Sequence, residues 1–375
     1  MVNKKRVEQC FVDLVSINSP SRQEGNLVSF LKTKLEAIGF EVEEDAAASV
    51  IGGEAGNLIA FLPGSVSSAP ALMLSCHLDT VEPTDGLKLE TIDGIFRSDG
   101  TTILGADDKA GIAAVIEGVQ SVIESGAAHG DVQVVFSVAE EIGLLGAKSL
   151  NRSKLIGKFG YVFDTEKPVG GITVSAPSHE SLTVLIRGRA AHAGMAPEKG
   201  VSAIVAASRA ISKMRLGRID EETTANVGVI EGGKARNIVP DLVTVRAEAR
   251  SRNESSLLAQ VRHMTEMFER EACAIGAQAE VAGEREYTGF RWCDEDEVVK
   301  IAVAAANRMG ICPVFVHGGG GSDANIFNAW GIPSVVVGVG YEDAHSSSER
   351  ITCEDLCKAA EFAASLLLTA ADWRQ

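Results

Sequence analysis

An α/β protein interrupted by a smaller α+β domain is the fold class this sequence predicts, on three observations. Strands and helices alternate at both ends of the chain, a strand-helix-strand-strand-helix-strand order fills the middle, and the composition allows a large core. Hydrophobic residues make up 45% of the 375 residues against 23% charged, with 38 glycines and 5% aromatics. That balance belongs to a globular chain and not to a disordered one. The length exceeds the roughly 100 to 200 residues of one ordinary domain, so two domains are expected.

Val7, Phe11, Leu14 and Ile17 repeat at helical spacing until Pro20 ends the pattern. Ser21 with Glu24 reads as a capping box for a second helix, whose apolar stripe is Leu27, Phe30, Leu31, Leu35 and Ile38 and whose stop is Gly39. Strands are expected at 40–43, 57–62, 71–76, 132–138 and 160–163, with helices near 108–124 and 143–150 between them. The alternation resumes with a helix at 296–309, a strand at 312–316, a helix at 323–329, a strand at 334–339 and a closing helix at 353–370. Residues 1–178 and 285–375 therefore read as one domain. The insert, 179–284, reads as strand 181–187, helix 201–214, strands 224–230 and 243–250, helix 254–274 and strand 279–282, the ferredoxin-like order with both helices on one face.

The formal charge of −16 argues against nucleic acid, because phosphate binding requires a basic face. Seven cysteines (10, 76, 273, 293, 312, 353, 357) form no Cys-x-x-Cys pair and read as reduced thiols. The N-terminus places Glu8, Asp13 and Asn18 among its apolar residues, unlike a signal peptide, and no run of about 20 apolar residues suggests a membrane span. A cytoplasmic protein is the expectation.

Metal-competent residues fall just after the ends of expected strands. His77 and Asp79 follow 71–76, Glu140 and Glu141 follow 132–138, Asp164 follows 160–163, and His345 comes shortly after 334–339. Asp107 stands where a loop becomes a helix. Ligands of open α/β sheets bind at the carboxyl ends of strands, so these segments are expected to share one crevice. Two histidines with four or five carboxylates suit Zn²⁺ or a similar cation, and the surplus suits two metals about 3.5–4 Å apart, bridged by a carboxylate and a hydroxide. Asp79 is placed to take the other ring N–H of His77. Each piece has a plainer reading taken alone: a structural His-Asp pair, an Asp helix cap, a solvated Glu-Glu turn. Their joint placement favours the metal site.

The segments SCHLDT (75–80), GADDKAG (105–111), SVAEEIGLLG (137–146), FDTE (163–166), GRAAHAGMAPEKG (188–200), GGKARNIVP (232–240), GGGGSDAN (318–325) and AHSSSE (344–349) occur in order along nearly the whole chain. Together they resemble the cocatalytic zinc peptidases, the family of peptidase T, aminoacylase, glutamate carboxypeptidase and succinyl-diaminopimelate desuccinylase. GADDKAG and AEEIGLLGA are most similar to its peptidase T, or tripeptide aminopeptidase, branch. The resemblance implies a mixed sheet flanked by helices, with the insert as a lid and dimerisation domain. It places His77, Asp107 and Asp164 on one zinc and Asp107, Glu141 and His345 on the other, with a cis Asp107–Asp108 peptide. Glu140 becomes the general base, although spacing alone permits the reverse assignment of Glu140 and Glu141. Glu166 competes with Asp164 as a ligand.

By the same resemblance His192 reaches the active site of a partner subunit, and Asn237, Arg250 and Gly320 bind a substrate carboxylate. The plainer readings are a solvated turn for His192 and a salt bridge for Arg250. The expected activity is hydrolysis of short peptides by an exopeptidase with two Zn²⁺, or Co²⁺ or Mn²⁺ in their place, acting as a homodimer. The alternative is an amidohydrolase or carboxypeptidase acting on N-acyl amino acids or related amides. A metal-binding scaffold without catalysis is disfavoured because both base and ligand set are present.

Overall fold

The computed structural model describes residues 1–373; residues 374 and 375 of the expected catalytic domain lie outside the described residues. The chain divides into two compact units. Met1–Ser175, Trp292–His317 and the segment from Ser322 onward form the first, and Ala176–Arg291 with Gly318–Gly321 form the second.

The first unit is built on a mixed sheet whose strand order is Glu41–Glu44, Leu58–Leu62, Val132–Ser137, Leu72–His77, Phe159–Val162, Ser334–Val337, Gly171–Ala176, with Val314–His317 also paired to the last of these. The central four run parallel. Their residues are buried throughout, as expected where helices cover both faces and the sequence shows apolar runs rather than alternation. The helix Ala106–Ser125 packs against Cys353–Asp372 so closely that a Cβ on Gly118 would stand 2.6 Å from the Cβ of Ala363. The expected helix at 323–329 is Asp323–Ala329, whose N-cap Ser322 forms a capping box with Asn325.

The second helix differs from expectation. It spans Gly25–Ile38, so Ser21 and Glu24 do not form a capping box. Ser21 instead donates its hydroxyl to Asp79, and Glu24 accepts the N–H groups of Arg22 and Ala139. A buried carboxylate is a stronger partner for a hydroxyl than a solvated helix end. A three-stranded sheet of Leu89–Ile92, Ile95–Ser98 and Arg350–Thr352 was also not expected. Its hairpin turns at Asp93-Gly94, both at positive φ (52° and 77°), the Asp-Gly signature of a tight turn.

The second unit contains a five-stranded antiparallel sheet in the order Gly217–Arg218, Thr223–Gly232, Leu242–Ser251, Ser178–Arg187, Gln278–Tyr287. The helices Ala203–Lys213 and Glu254–Cys273 complete the strand-helix-strand-strand-helix-strand order. Val184, Ile186, Val243 and Val245 of the sheet pack against Ala206, Ala210, Phe268 and Ala272 of the helices. Gly321 lies against the Tyr287 ring.

Candidate metal centre

Five of the expected residues converge in the first unit. His77, Asp107 and Asp164 present one ligand atom each within 4.8 Å of one another, and so do Asp107, Glu141 and His345. The two groups share Asp107. Its two carboxylate oxygens face the two histidines, at 3.0 Å from Nε2 of His77 and 3.3 Å from Nε2 of His345. Asp164 lies 3.8 Å from the same His77 nitrogen, and Glu141 lies 2.9 Å from that of His345. The Tyr341 hydroxyl reaches Asp107 at 3.1 Å and Asp164 at 3.3 Å.

The backbone explains the placement. His77 ends a central strand with both its neighbours paired, so its direction is fixed by the sheet. The Asp107–Asp108 peptide is cis, and both residues depart from helical torsion angles at the start of Ala106–Ser125. Asp107 faces the histidines, while buried Asp108 accepts the His77 N–H at 3.2 Å. His345 stands at φ 61° in a loop joined to the core through Glu166, whose carboxylate accepts the Ala344 N–H at 2.9 Å. Of the two carboxylates considered after strand Phe159–Val162, Asp164 therefore joins the donor group and Glu166 holds the neighbouring loop.

Asp79 acts differently from expectation. His77 Nδ1 lies 2.9 Å from the backbone carbonyl of Asp79 and 3.6 Å from its carboxylate. The carboxylate accepts the N–H groups of Glu140 at 2.9 Å and Glu141 at 3.2 Å, and the Ser21 hydroxyl at 2.6 Å. A backbone carbonyl two residues on is the nearer acceptor because the chain turns directly after the strand, leaving the Asp79 side chain aimed at the Glu140-Glu141 turn. The His77 tautomer is still fixed, with Nε2 turned to Asp107 and Asp164.

The charges of the cluster are unbalanced. Burial, reinforced by Asp107, pushes the Asp164 carboxyl well above its usual value. Burial also raises Glu140, with Asp164 and Asp323 adding repulsion. Against the burial that opposes ionisation, His345 and His77 hold Asp107 low. Asp107 and Glu141 raise His345 to about 10. Crowded carboxylates with two imidazoles are the donor set of a divalent cation, and three protein ligands per group is the pattern of catalytic sites that keep a position open. The residues fit two metal ions.

Sequence reasoning missed several supports. Asp323 accepts the Ser137 hydroxyl, and Glu349 accepts the N–H groups of Gly105 and Asp107. Both lie in quoted motifs, but nothing local marks their buried targets. In the second unit His192 is exposed, and its Nδ1 accepts the N–H groups of Gly194 and Met195, both at 3.2 Å. Asn237 is adjacent, its carbonyl accepting the Ala193 N–H at 2.9 Å. Arg250 makes the ion pair that its plainer reading anticipated, with Glu248 at 3.0 Å. Its Nε is buried without a hydrogen-bond partner. Gly320 is exposed, with open space where a Cβ would stand.

A mixed α/β sheet carrying two three-residue donor groups that share one aspartate defines a metal-dependent hydrolase class. Residues 73–369 match the family model described as peptidase family M20/M25/M40, and the chain belongs to that family. It is 45% identical over 371 residues to an uncharacterized protein of Bacillus subtilis, YqjE, covering 99% of this chain and 100% of the relative. Two solved structures are similar over almost their full lengths. The aminopeptidase PepT of Bacillus cereus is 44% identical with a TM-score of 0.92, covering 99% of each chain. A tripeptidase of Staphylococcus aureus is 43% identical with a TM-score of 0.95, covering 100% of each. The protein is a metallopeptidase.

Proposed function

We propose that this enzyme is an exopeptidase that releases the first residue of tripeptides, using two zinc ions held by His77, Asp107 and Asp164 and by Asp107, Glu141 and His345. The observation that carries the reading is the shared Asp107 between two donor groups, with Glu140 beside them and in neither. The names of the two similar structures, an aminopeptidase and a tripeptidase, support the substrate class.

Two divalent cations supply an acidified water and a polarised scissile carbonyl when bound. Glu140 would be the residue that accepts a proton from the attacking water and delivers it to the leaving amine. Burial and the nearby carboxylates raise its carboxyl in the metal-free chain, and beside two bound cations it would be drawn back toward the ionised form that a base requires. Asp79 fixes the turn that presents Glu140. His192 supplies a donor to the tetrahedral oxyanion: because its Nδ1 accepts two backbone N–H groups, the neutral ring carries its proton on Nε2.

The inserted unit, expected at 179–284, serves as lid and dimerisation domain in this reading, and His192 acts in the partner's site. Support for a homodimer comes from the strand Thr223–Gly232, where Val229 and Ile230 are exposed. Asn237, Arg250 and Gly320 bind the substrate carboxylate, with the unpartnered Arg250 Nε as one donor. Seven free cysteines support a reducing cytoplasm, and among the described residues no helix is long and apolar enough to cross a membrane.

The deciding experiment measures turnover of a tripeptide, a dipeptide and an N-acetyl amino acid by the zinc-loaded enzyme. We expect the tripeptide to be cleaved fastest, at its amino end. Cleavage confined to the acylated substrate would refute the peptidase reading in favour of an amidohydrolase. Glu140→Gln should keep two metal equivalents while losing roughly 10²- to 10⁴-fold in kcat; undiminished turnover would remove Glu140 as the base.

A further inference from the structure

We propose that Glu349 is a positioning residue that sets the shared aspartate, Asp107, and ties the loop of His345 to it. The inference rests on the two-metal reading above. Glu349 is 1% exposed and lies in the same loop as His345. One of its oxygens accepts the Gly105 N–H at 2.7 Å and the other the Asp107 N–H at 2.9 Å. Both oxygens are thus used on a single turn of backbone, and Glu349 belongs to neither donor group.

The geometry makes this more than a packing contact. Asp107 must offer one oxygen to each side of the centre, so its side chain tolerates little rotation. The buried carboxylate of Glu349 holds the N–H from which that side chain springs. The loop bearing Glu349 is itself braced. Glu342 and Arg350 exchange backbone hydrogen bonds at 2.8 and 3.1 Å, the Arg350 guanidinium meets Glu342 and also Asp343 at 2.7 Å, and the Glu349 N–H bonds to the Ser346 carbonyl at 3.1 Å. His345 is therefore carried on a stiff loop whose far end grips the backbone of Asp107. Two ligands that are remote in sequence are set relative to each other by one side chain that binds no metal.

The test compares the wild type, Glu349→Gln, Glu349→Asp and Asp107→Asn, all stripped of metal. Each is titrated with Zn²⁺ against a chromophoric chelator and with Co²⁺ while its visible absorption is recorded, and each metal-free form is melted. Glu349→Gln can accept only one of the two N–H groups. We expect it to bind at least one equivalent roughly 10- to 100-fold more weakly than the wild type, with an altered cobalt spectrum, as for other residues that orient ligands. Glu349→Asp should fall between them, and it carries the same readouts if the glutamine variant does not fold. A lower melting temperature with both affinities and the cobalt spectrum unchanged would show a purely structural residue and overturn the proposal. If the wild type takes up fewer than two equivalents, or Asp107→Asn binds two as tightly as the wild type, the two-metal reading itself fails. Loss of binding in Asp107→Asn with none in either Glu349 variant sinks only the role of Glu349.

Discussion

Several carboxylates of this protein have their roles decided by a single neighbour. Asp79 spends its two oxygens on the Glu140 and Glu141 N–H groups, so Asp79→Asn places an amide NH₂ against an N–H donor. The turn must then shift, and we expect kcat to fall 10-fold or more with little change in KM for a tripeptide, an effect of misplacement rather than of lost binding. Equal changes in kcat and KM would argue against a positioning role. Glu248 offers a pH-dependent case. His179 at 3.1 Å, with help from Arg250, holds its carboxyl down at about 2 against an ordinary value of 4.5. A depressed folded value means that the stabilisation is full above the unfolded value and is lost as pH falls from about 4.5 to about 2. Glu248→Gln should therefore be less stable than the wild type at pH 6, with the gap clearly narrower at pH 3 as the loss proceeds toward the folded value. Urea denaturation at both values measures this, and a pH-independent gap would contradict the assignment.

Among the elements, the pair Ala106–Ser125 and Cys353–Asp372 shows packing overriding intrinsic preference. Alanine is favoured over glycine inside a helix by about 1 kcal/mol. At Gly118 the added methyl would meet the Ala363 Cβ at 2.6 Å and the Ala360 carbonyl at 2.8 Å, and backbone cannot step aside as a flexible side chain does. Overpacking of this kind costs about 1–3 kcal/mol. We expect Gly118→Ala to be destabilising, read as a lower denaturant midpoint at unchanged slope. A stabilised variant would mean that the helices separate freely.

For the molecule as a whole, the metals and the fold are linked. Ions that bind only the folded chain stabilise it by about 2.7 kcal/mol at a free concentration one hundred times the Kd. Chelation should lower the thermal midpoint, and Zn²⁺ should restore it, most of all in the first unit, where the five donors come from five separate segments of the chain. An unchanged midpoint after verified metal removal would count against sites built by folding. If the second unit joins two copies, Ile230→Arg should give a monomer in sedimentation and lower activity together, since His192 would then lack its site. A monomeric wild type of full activity would remove the dimer from the mechanism.

By itself the sequence determined the class of fold and the segments that gather metal-competent side chains. Hydrophobic periodicity is a local property, so the buried central strands, the helix Asp323–Ala329 and the order of the inserted unit were all legible. His77, Asp107, Asp164, His345 and the Glu140-Glu141 pair were legible as a gathering of donors because strand ends mark where ligands bind, while their division into two groups, with Glu141 in one of them, came from the family resemblance of short, contiguous motifs. The tertiary structure alone decided the partners that hold them. Ser21 and Glu24 carry a helix-cap pattern and serve the Glu140-Glu141 turn instead, because buried acceptors and N–H donors from other segments outcompete a solvated helix end. The same holds for Asp79, which supports His77 through its carbonyl and the glutamates through its carboxylate. Glu349 reached Asp107 across 242 positions of the chain. No window of sequence contains such a pair, since hydrogen bonds between distant segments depend on where the fold brings the backbone.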